Sequence, residues 1–454
     1  MVWGQTDFSR NGMSGIVRIR RKAAAVFWVG LFVYLTIPAQ AETTDPIARG
    51  SIPSDAIDKA GETIGAIGSG LAYDPKENVL FAISDRGPGD GTIDYCPRFD
   101  VLRLTQLAEN KAKLNIEVIK TVLLHDRDSK EMSGLAPDVS DKPLPQLRDG
   151  RVCIDPEAIA LAPDGTIYIS DEYGPMLYQF DREGKMLRFI GPPANYLPRN
   201  SDGKVDFASK EIVAGRVANH GFEGLALSPD GERATLILQN GLIQDGGKNA
   251  RLTRMLVVDL TTEQPIGEYA YEFPEAEKML LNRGQKKHNR VKQNDLSISE
   301  LTAIDPSRFL SLERDNFGAN GDTDFKTPVY KCIFLVDPGQ ATNLFSIPGR
   351  PYDQLPGSPN FQTLSPNENV KPVTKKLVVN FAEPPAALPP NQFAAKWEGI
   401  AVLPGSKPGQ RQMVLACDND FLNPMLNIKG HKVSFPRAKQ PVPTTFLLFD
   451  LHLP

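Results

Sequence analysis

Gly221-Phe222-Glu223-Gly224-Leu225-Ala226-Leu227-Ser228-Pro229-Asp230-Gly231 sets an acid, a short apolar run and a turn in one line. The apolar run fits a buried strand, Pro presets the first torsion of a turn, and Asp-Gly favours a tight hairpin. A second apolar run then ends in Gln239-Asn240-Gly241. Four other segments share this layout. They start at Ser69-Gly70-Leu71, Glu157-Ala158-Ile159, Glu300-Leu301-Thr302 and Glu398-Gly399-Ile400. They turn at Asp74-Pro75, Pro163-Asp164-Gly165, Asp305-Pro306-Ser307 and Pro404-Gly405. They finish at Ser84-Asp85-Arg86-Gly87, Ser170-Asp171-Glu172-Tyr173-Gly174, Glu313-Arg314-Asp315-Asn316 and Cys417-Asp418-Asn419-Asp420.

Several units continue with further strand-like runs: MLYQFD and MLRFI, RMLVVDL and IGEYAYEF, VYKCIFLVD, TTFLLFDL. Four antiparallel strands per unit make a propeller blade, so the repeat predicts an all-β fold, a single β-propeller. A sandwich of unrelated hairpins would not repeat at both ends of each hairpin. The units begin 88, 66, 77 and 98 residues apart, wider than the roughly 40–50 of an ordinary blade. The 88-residue gap contains VLRLTQL and LNIEVIKTVLL, which suit a hidden, degenerate blade. Six blades are therefore expected, with five or seven as the alternatives. Residues 274–296, polar and basic, and residues 348–395, rich in Pro, read as loop insertions.

Outside the repeat, residues 1–41 have the pattern of a secretory signal peptide. Arg18, Arg20, Arg21 and Lys22 precede 15 apolar residues, Ala23 to Ile37, and Ala39-Gln40-Ala41 offers a cleavage site. The apolar run is shorter than the roughly 20 residues that span a bilayer. Removing this segment takes away Arg10, Arg18, Arg20, Arg21, Lys22 and Asp7, and the net charge goes from −4 to −8. The expected mature chain, 42–454, is one periplasmic or secreted domain, without stable membrane insertion and monomeric. An acidic balance gives no surface for nucleic acid. The 41% hydrophobic and 23% charged composition excludes disordered and coiled-coil classes. In an oxidising compartment the four cysteines allow two disulfides. Cys96 and Cys153 stand in loop-like sequence and are the preferred pair; Cys332 and Cys417 stand in strand-like runs and fit either a bridge or buried thiols.

In a hairpin, the first strand starts where the second ends. With the first strand innermost, both polar clusters of every unit converge on one mouth of the central channel. That places Glu157, Glu223, Glu300 and Glu398 with Asp85, Asp171, Glu172, Glu313, Asp315 and Asp418, and with Arg86 and Arg314 among them. So many carboxylates cannot stay ionised together without compensation. A bound Ca²⁺, which takes six to eight oxygen ligands, is the expected cofactor, with Asn240, Asn316 and Asn419 as neutral donors. The candidate metal ligands are Asp85, Glu157, Asp171, Glu223, Glu300, Glu313, Glu398 and Asp418. The candidate catalytic groups are Arg86, Glu172, His220, Arg314 and Lys396. The plain alternative is that each Glu accepts backbone N–H bonds or pairs with Arg86, Arg314 or Lys396. His220 lies three residues before Glu223 and fits a general acid, a phosphate donor or a rim hydrogen bond. There is no G-x-S-x-G, H-E-x-x-H or Walker A motif.

Taken in order, SDRG (84–87), DPEAI (155–159), SDEYGP (170–175), GFEGLALSPDG (221–231), ISEL and LERDN (within 298–316) and KWEGIA (396–401) resemble the bacterial "esterase-like activity of phytase" family of phytase-like domain proteins. The resemblance runs from about residue 60 to the C-terminus. It implies an exported β-propeller and hydrolysis of phosphate esters or other esters. The family's recurring positions map to Glu157, Asp171, Glu172, Tyr173, Glu223, Glu300, Glu313, Arg314 and Glu398. Alkaline phytases are also propellers that use Ca²⁺, but their motifs are not evident here and no ligand is carried over from them. A binding propeller and a metal-dependent lactonase are the alternative functions.

Overall fold

Every repeated hairpin is the inner half of a four-stranded antiparallel sheet. The structure, a computed structural model, describes residues 45–140, 142–280, 290–347, 370–382, 388 and 393–453. The expected signal segment and its cut after Ala41 lie outside the described residues. The chain begins with β1 (Ala48–Ile52). Blade one follows as β2 (Gly70–Asp74), β3 (Val79–Ile83), β4 (Arg98–Gln106) and β5 (Leu114–Leu123). Blade two is β6 (Pro156–Leu161), β7 (Ile167–Asp171), β8 (Leu177–Phe180) and β9 (Met186–Ile190). Blade three is β10 (Phe222–Leu227), β11 (Arg233–Leu238), β12 (Leu252–Asp259) and β13 (Gln264–Glu272). Blade four is β14 (Ser297–Ala303), β15 (Phe309–Arg314), β16 (Lys331–Asp337) and β17 (Thr374–Asn380). Blade five has β18 (Lys396–Pro404) and β19 (Arg411–Asp418), an excursion hairpin of β20 (Met425–Ile428) and β21 (His431–Ser434), then β22 (Thr444–Leu451). Its sheet order is β18-β19-β22-β1, so the N-terminal strand supplies the outermost position and closes the ring.

The β-propeller expectation holds, with five four-stranded blades in place of six. VLRLTQL and LNIEVIKTVLL are the outer two strands of blade one, not a hidden blade. The described residues of 124–155, the rest of the long gap, carry isolated bridges outside any named strand and pack Met132, Leu144, Val152 and Ile154 into the core between blades one and two. The 348–395 insertion also needs correcting, because it contains β17. Thr374-Lys375-Lys376-Leu377-Val378-Val379-Asn380 is partly exposed, as an outermost strand should be, which blurs its apolar signal. The remainder of that insertion lies largely outside the described residues. In the 274–296 insertion, Ala276, Met279, Val291 and Leu296 are buried against blades three and four.

Period-two alternation builds the core. In β7, Ile167 and Ile169 face blade one while Tyr168 faces blade three. In β11, Ala234, Leu236 and Leu238 face blade two while Ile237 faces blade four. Each inner strand packs on the next around the ring, β18 against β2 included. A glycine at the start of the inner strand makes that approach possible in blades one, three and five. A Cβ at Gly224 would stand 2.5 Å from the Leu301 nitrogen, and one at Gly70 would stand 2.7 Å from the Glu157 carbonyl oxygen.

No disulfide forms among the four cysteines, so the Cys96–Cys153 pairing is overturned. Cys96 packs its sulfur 3.5 Å from the Leu124 carbonyl, whereas Cys153 sits with Leu147 and Tyr173. Cys332 and Cys417 are buried in separate interblade layers. Burial pushes the Cys96 and Cys417 thiols up to about 12 and the Cys153 thiol higher still.

Two outcomes follow from this architecture. A thiol reagent should leave the native chain unmodified and titrate four thiols after unfolding; a native disulfide would show as fewer. A chain lacking β1 should melt lower by at least about 5 °C, because the ladder and the buried Ala48 and Ile52 are worth on the order of 4 kcal/mol. Calorimetry of the truncated and full-length chains checks it.

Candidate functional site

The starts of the inner strands and the ends of the second strands meet at one end of the channel, around a cavity of about 350 Å³. All five candidate catalytic residues, Arg86, Glu172, His220, Arg314 and Lys396, line it. So do the metal candidates Asp85, Glu157, Glu223 and Glu398. A β-bulge brings the last two there. Glu223 and Glu398 are the extra residues where Phe222 pairs with Leu238 but Gly224 with Ile237, and where Trp397 pairs with Cys417 but Gly399 with Ala416. The bulge re-aims these side chains toward the channel end.

Four metal candidates do not line the cavity. In blade four the extra residue is Ser299, one position earlier, so Glu300 remains in register opposite Leu312. Its carboxylate accepts the Leu301 N–H at 2.9 Å and also faces the N–H groups of Leu225 and Leu71. Glu300 thereby clamps inner strands of three blades. Glu313 lies between blades three and four, where it accepts bonds from the Tyr271 hydroxyl (2.6 Å), the Tyr330 hydroxyl (2.8 Å) and Lys375 (2.5 Å). Asp171 accepts the N–H groups of Asp155, Tyr173 and Gly174 and shapes the loop after β7. Asp315 is likewise internal, 2.8 Å from the Lys331 ammonium. Asp418 sits just beneath the rim, with Lys396 3.2 Å away and the Asp420 N–H 2.6 Å away.

Arg86, Arg314 and Lys396 each have a carboxylate. Arg86 bonds Asp155 at 2.5 Å, Arg314 bonds Glu398 at 2.6 Å, and Lys396 stands 2.7 Å from Asp420. The sequence reading passes over Asp155 and Asp420 as site residues, although both stand in the quoted motifs beside residues that were selected. Asn219, Asn294, Asn320, Lys248 and Arg437 also line the cavity, from loops the repeat does not cover.

Crowding sets the protonation states. Burial, then repulsion from Asp155, Glu223, Glu172 and Glu398, raises Glu157 well above the usual carboxylate range. Burial and the neighbouring acids Glu172 and Glu398 do the same to Glu223, and burial with Asp418 does so to Asp85. Burial, then Asp155, brings Glu172 to about 7. Burial raises Asp418 to about 8, and Asp171 to about 7 against three N–H bonds. Burial, then Lys248, Arg314, Arg216 and Arg86, drops His220 to about 2. The imidazole is therefore neutral near pH 7, which makes Glu172 the better-placed proton carrier.

Three carboxylate oxygens in this group are buried without a hydrogen-bond partner among the described residues: Glu172 Oε1, Glu223 Oε2 and Glu398 Oε2. Two groups of acids offer one oxygen each within 4.8 Å of one another, Asp155 with Glu157 and Glu172, and Asp85 with Asp418 and Asp420. An all-oxygen set with spare buried lone pairs fits a hard divalent cation.

A carboxyl whose pKa rises on folding holds its proton more tightly in the folded chain. Stability is then greatest below the ordinary carboxylate range and declines as pH rises through the raised value. For Glu172 the window runs from 4.5 to about 7, and for Asp418 from 3.8 to about 8. With a chelator present, the melting temperature should fall from about pH 5 to about pH 8, and Glu172→Gln should flatten that fall. A flat or rising profile for the parent chain contradicts the crowding described here.

Among relatives, an uncharacterized secreted protein of Arthroderma benhamiae is 29% identical over 367 residues, which cover 69% of this chain and 70% of that protein. Two solved structures align loosely. The hydrazine synthase of Kuenenia stuttgartiensis has 10% identity and a TM-score of 0.26, over 69% of this chain and 66% of its own. A protein of unknown function from Bacteroides thetaiotaomicron has 11% identity and a TM-score of 0.25, over 55% of this chain and 46% of its own. A family model described as "Phytase-like: Esterase-like activity of phytase" matches residues 62–421, from just before blade one to the polar end of β19. By that match the chain belongs to the phytase-like, esterase-like activity of phytase family.

Proposed function

We propose that the chain is an exported, Ca²⁺-dependent hydrolase of phosphate esters, working at the five-bladed channel mouth. The observation that carries the reading is the pairing of buried, unpartnered carboxylate oxygens with guanidinium and ammonium groups around one cavity. Family membership supports the hydrolase class. The signal-like N-terminus and the secreted relative support export. Among the described residues no helix is long and apolar enough to cross a membrane.

The acids of the mouth, Glu157, Glu172, Glu223 and Glu398 foremost, would hold the cation. Ca²⁺, when bound, supplies positive charge that gathers phosphate oxygens and makes a nearby water more acidic. Arg86, Arg314 and Lys396 offer fixed positive charge to the oxygens of a transferring phosphoryl group. Their own carboxylate partners hold them in place, so little reorganisation is needed when an anion enters. Glu172, through an oxygen that does not bind the ion, would take a proton from an attacking water and return it to the leaving oxygen.

A second reading rests on the same ion pairs. Because Arg86, Arg314 and Lys396 are each already bonded to a carboxylate, the mouth also suits a non-catalytic propeller whose acids and bases stitch blades together. Hydrolysis of an aryl phosphate and of phytate, with and without chelator, separates the two, and a lactone in the same panel tests other esters. The expected outcome is Ca²⁺-dependent turnover, reduced about 10³-fold in Glu172→Gln/Glu223→Gln. Equal trace rates in parent and variant, with thermal stabilisation by Ca²⁺, would establish the binding reading.

A further inference from the structure

The two acidic groups at the mouth are not alike. In the Asp85–Asp418–Asp420 group, a cation is already seated. The Lys396 ammonium stands 2.7 Å from Asp420 and 3.2 Å from Asp418. The other oxygen of Asp418 accepts the Asp420 N–H at 2.6 Å, and an oxygen of Asp85 accepts the Gly87 N–H at 2.8 Å. Outside that group, Glu172 and Glu223 of blades two and three, each 1% exposed, lie side by side and each keep one oxygen that no hydrogen-bond donor reaches among the described residues, as does Glu398 on β18 beside Lys396. Arg86 is committed to Asp155 and Arg314 to the other oxygen of Glu398, so neither satisfies these atoms.

We propose that the mouth is built for two positive centres and that the chain supplies one of them: the Lys396 ammonium fills the Asp85–Asp418–Asp420 group, leaving a single divalent cation to Glu157, Glu172 and Glu223 of blades two and three. This rests on the Ca²⁺ reading above and sharpens it to one ion and one place. An ammonium is a compact charge with three N–H donors, so it bridges two carboxylates as a small metal ion does. A divalent cation would have to displace it to reach the same oxygens. Lys396 is fixed there by chain geometry, since it opens β18 opposite Asp418, the last residue of β19. An anion entering the cavity then meets the fixed ammonium on the blade-five side and the exchangeable ion on the side of blades two and three.

Calcium stoichiometry of the mature chain, by calorimetric titration and by metal analysis after dialysis, tests this. The parent should bind one ion, Lys396→Arg one, and Lys396→Met two. Asp420→Asn should still bind one, because its carboxylate is not the seat of the ion. A parent that binds two ions, a folded Lys396→Met that binds only one, or loss of the ion in Asp420→Asn would overturn the assignment. The last of these can be read even if Lys396→Met does not fold. A parent that binds none while Lys396→Met gains one would instead remove the Ca²⁺-dependent function and retain the role given to Lys396. No ion in either would remove both.

Discussion

The ladder between β1 and β22 is the constraint on which the rest depends. Without it, blade five would end at β22 with an unpaired edge, and the chain leading into blade one would lose its anchor on blade five. With it, five inner strands start on one circle, close enough that Gly70 and Gly224 have no room for a Cβ. The acids at the starts of these strands, Glu223 before Gly224 and Glu398 before Gly399, are then carried to the channel end by geometry, whatever their own preference for water. Gathering the carboxylates is a consequence of closing the ring.

Gathered acids must be compensated, and the chain does so in two ways. Asp171 and Glu300 receive backbone N–H groups. Glu313, Asp315 and Asp418 receive Lys375, Lys331 and Lys396. One oxygen each of Glu172, Glu223 and Glu398, and the second oxygen of Glu300, are left without a hydrogen-bond partner among the described residues. A buried polar atom left unpaired costs about 1–3 kcal/mol, more for a charged one. The fold can do better where only stability is at stake. Within blade three, Arg254 meets Asp245 at 2.7 Å and both oxygens of Glu268 at 3.1 Å, with the Tyr196 hydroxyl 2.5 Å from Glu268. Against that fully bonded set, the incomplete bonding at the mouth reads as room kept for a ligand.

The architecture was legible because it is repetitive. Alternation, Pro-Asp-Gly turns and the acids at hairpin ends identify inner and second strands in every blade, and the topology argument from them correctly predicts which ends share a mouth. Outer strands were less legible. β17 is partly solvated and lies inside a Pro-rich stretch, so its apolar residues do not stand out. The preference for six blades over the alternative of five has a related cause, since long strands β4 and β5 and the packed segment after them carry as much apolar sequence as a blade without forming one. The cysteines were read from the compartment, which says nothing about whether two sulfurs face each other.

The site was legible to the level of the rim and no finer, and the missing piece is a single-residue offset. Glu223 and Glu300 look equivalent in the repeat. They differ because the extra residue of the bulge is Glu223 itself in blade three but Ser299 in blade four, which turns one carboxylate to the cavity and the other onto three strands' N–H groups. Blade one departs again, with Ser69 in the acid's place bonding the Ala66 carbonyl at 2.9 Å. Five equivalent acids around an axis would only repel. Ser69 removes one and Glu300 withdraws another, while Lys396 opens blade five with a cation. What remains is lopsided, with crowded carboxyl groups toward blades two and three and an acid–ammonium set toward blade five, and such a mouth offers unlike chemistry to the two ends of a ligand.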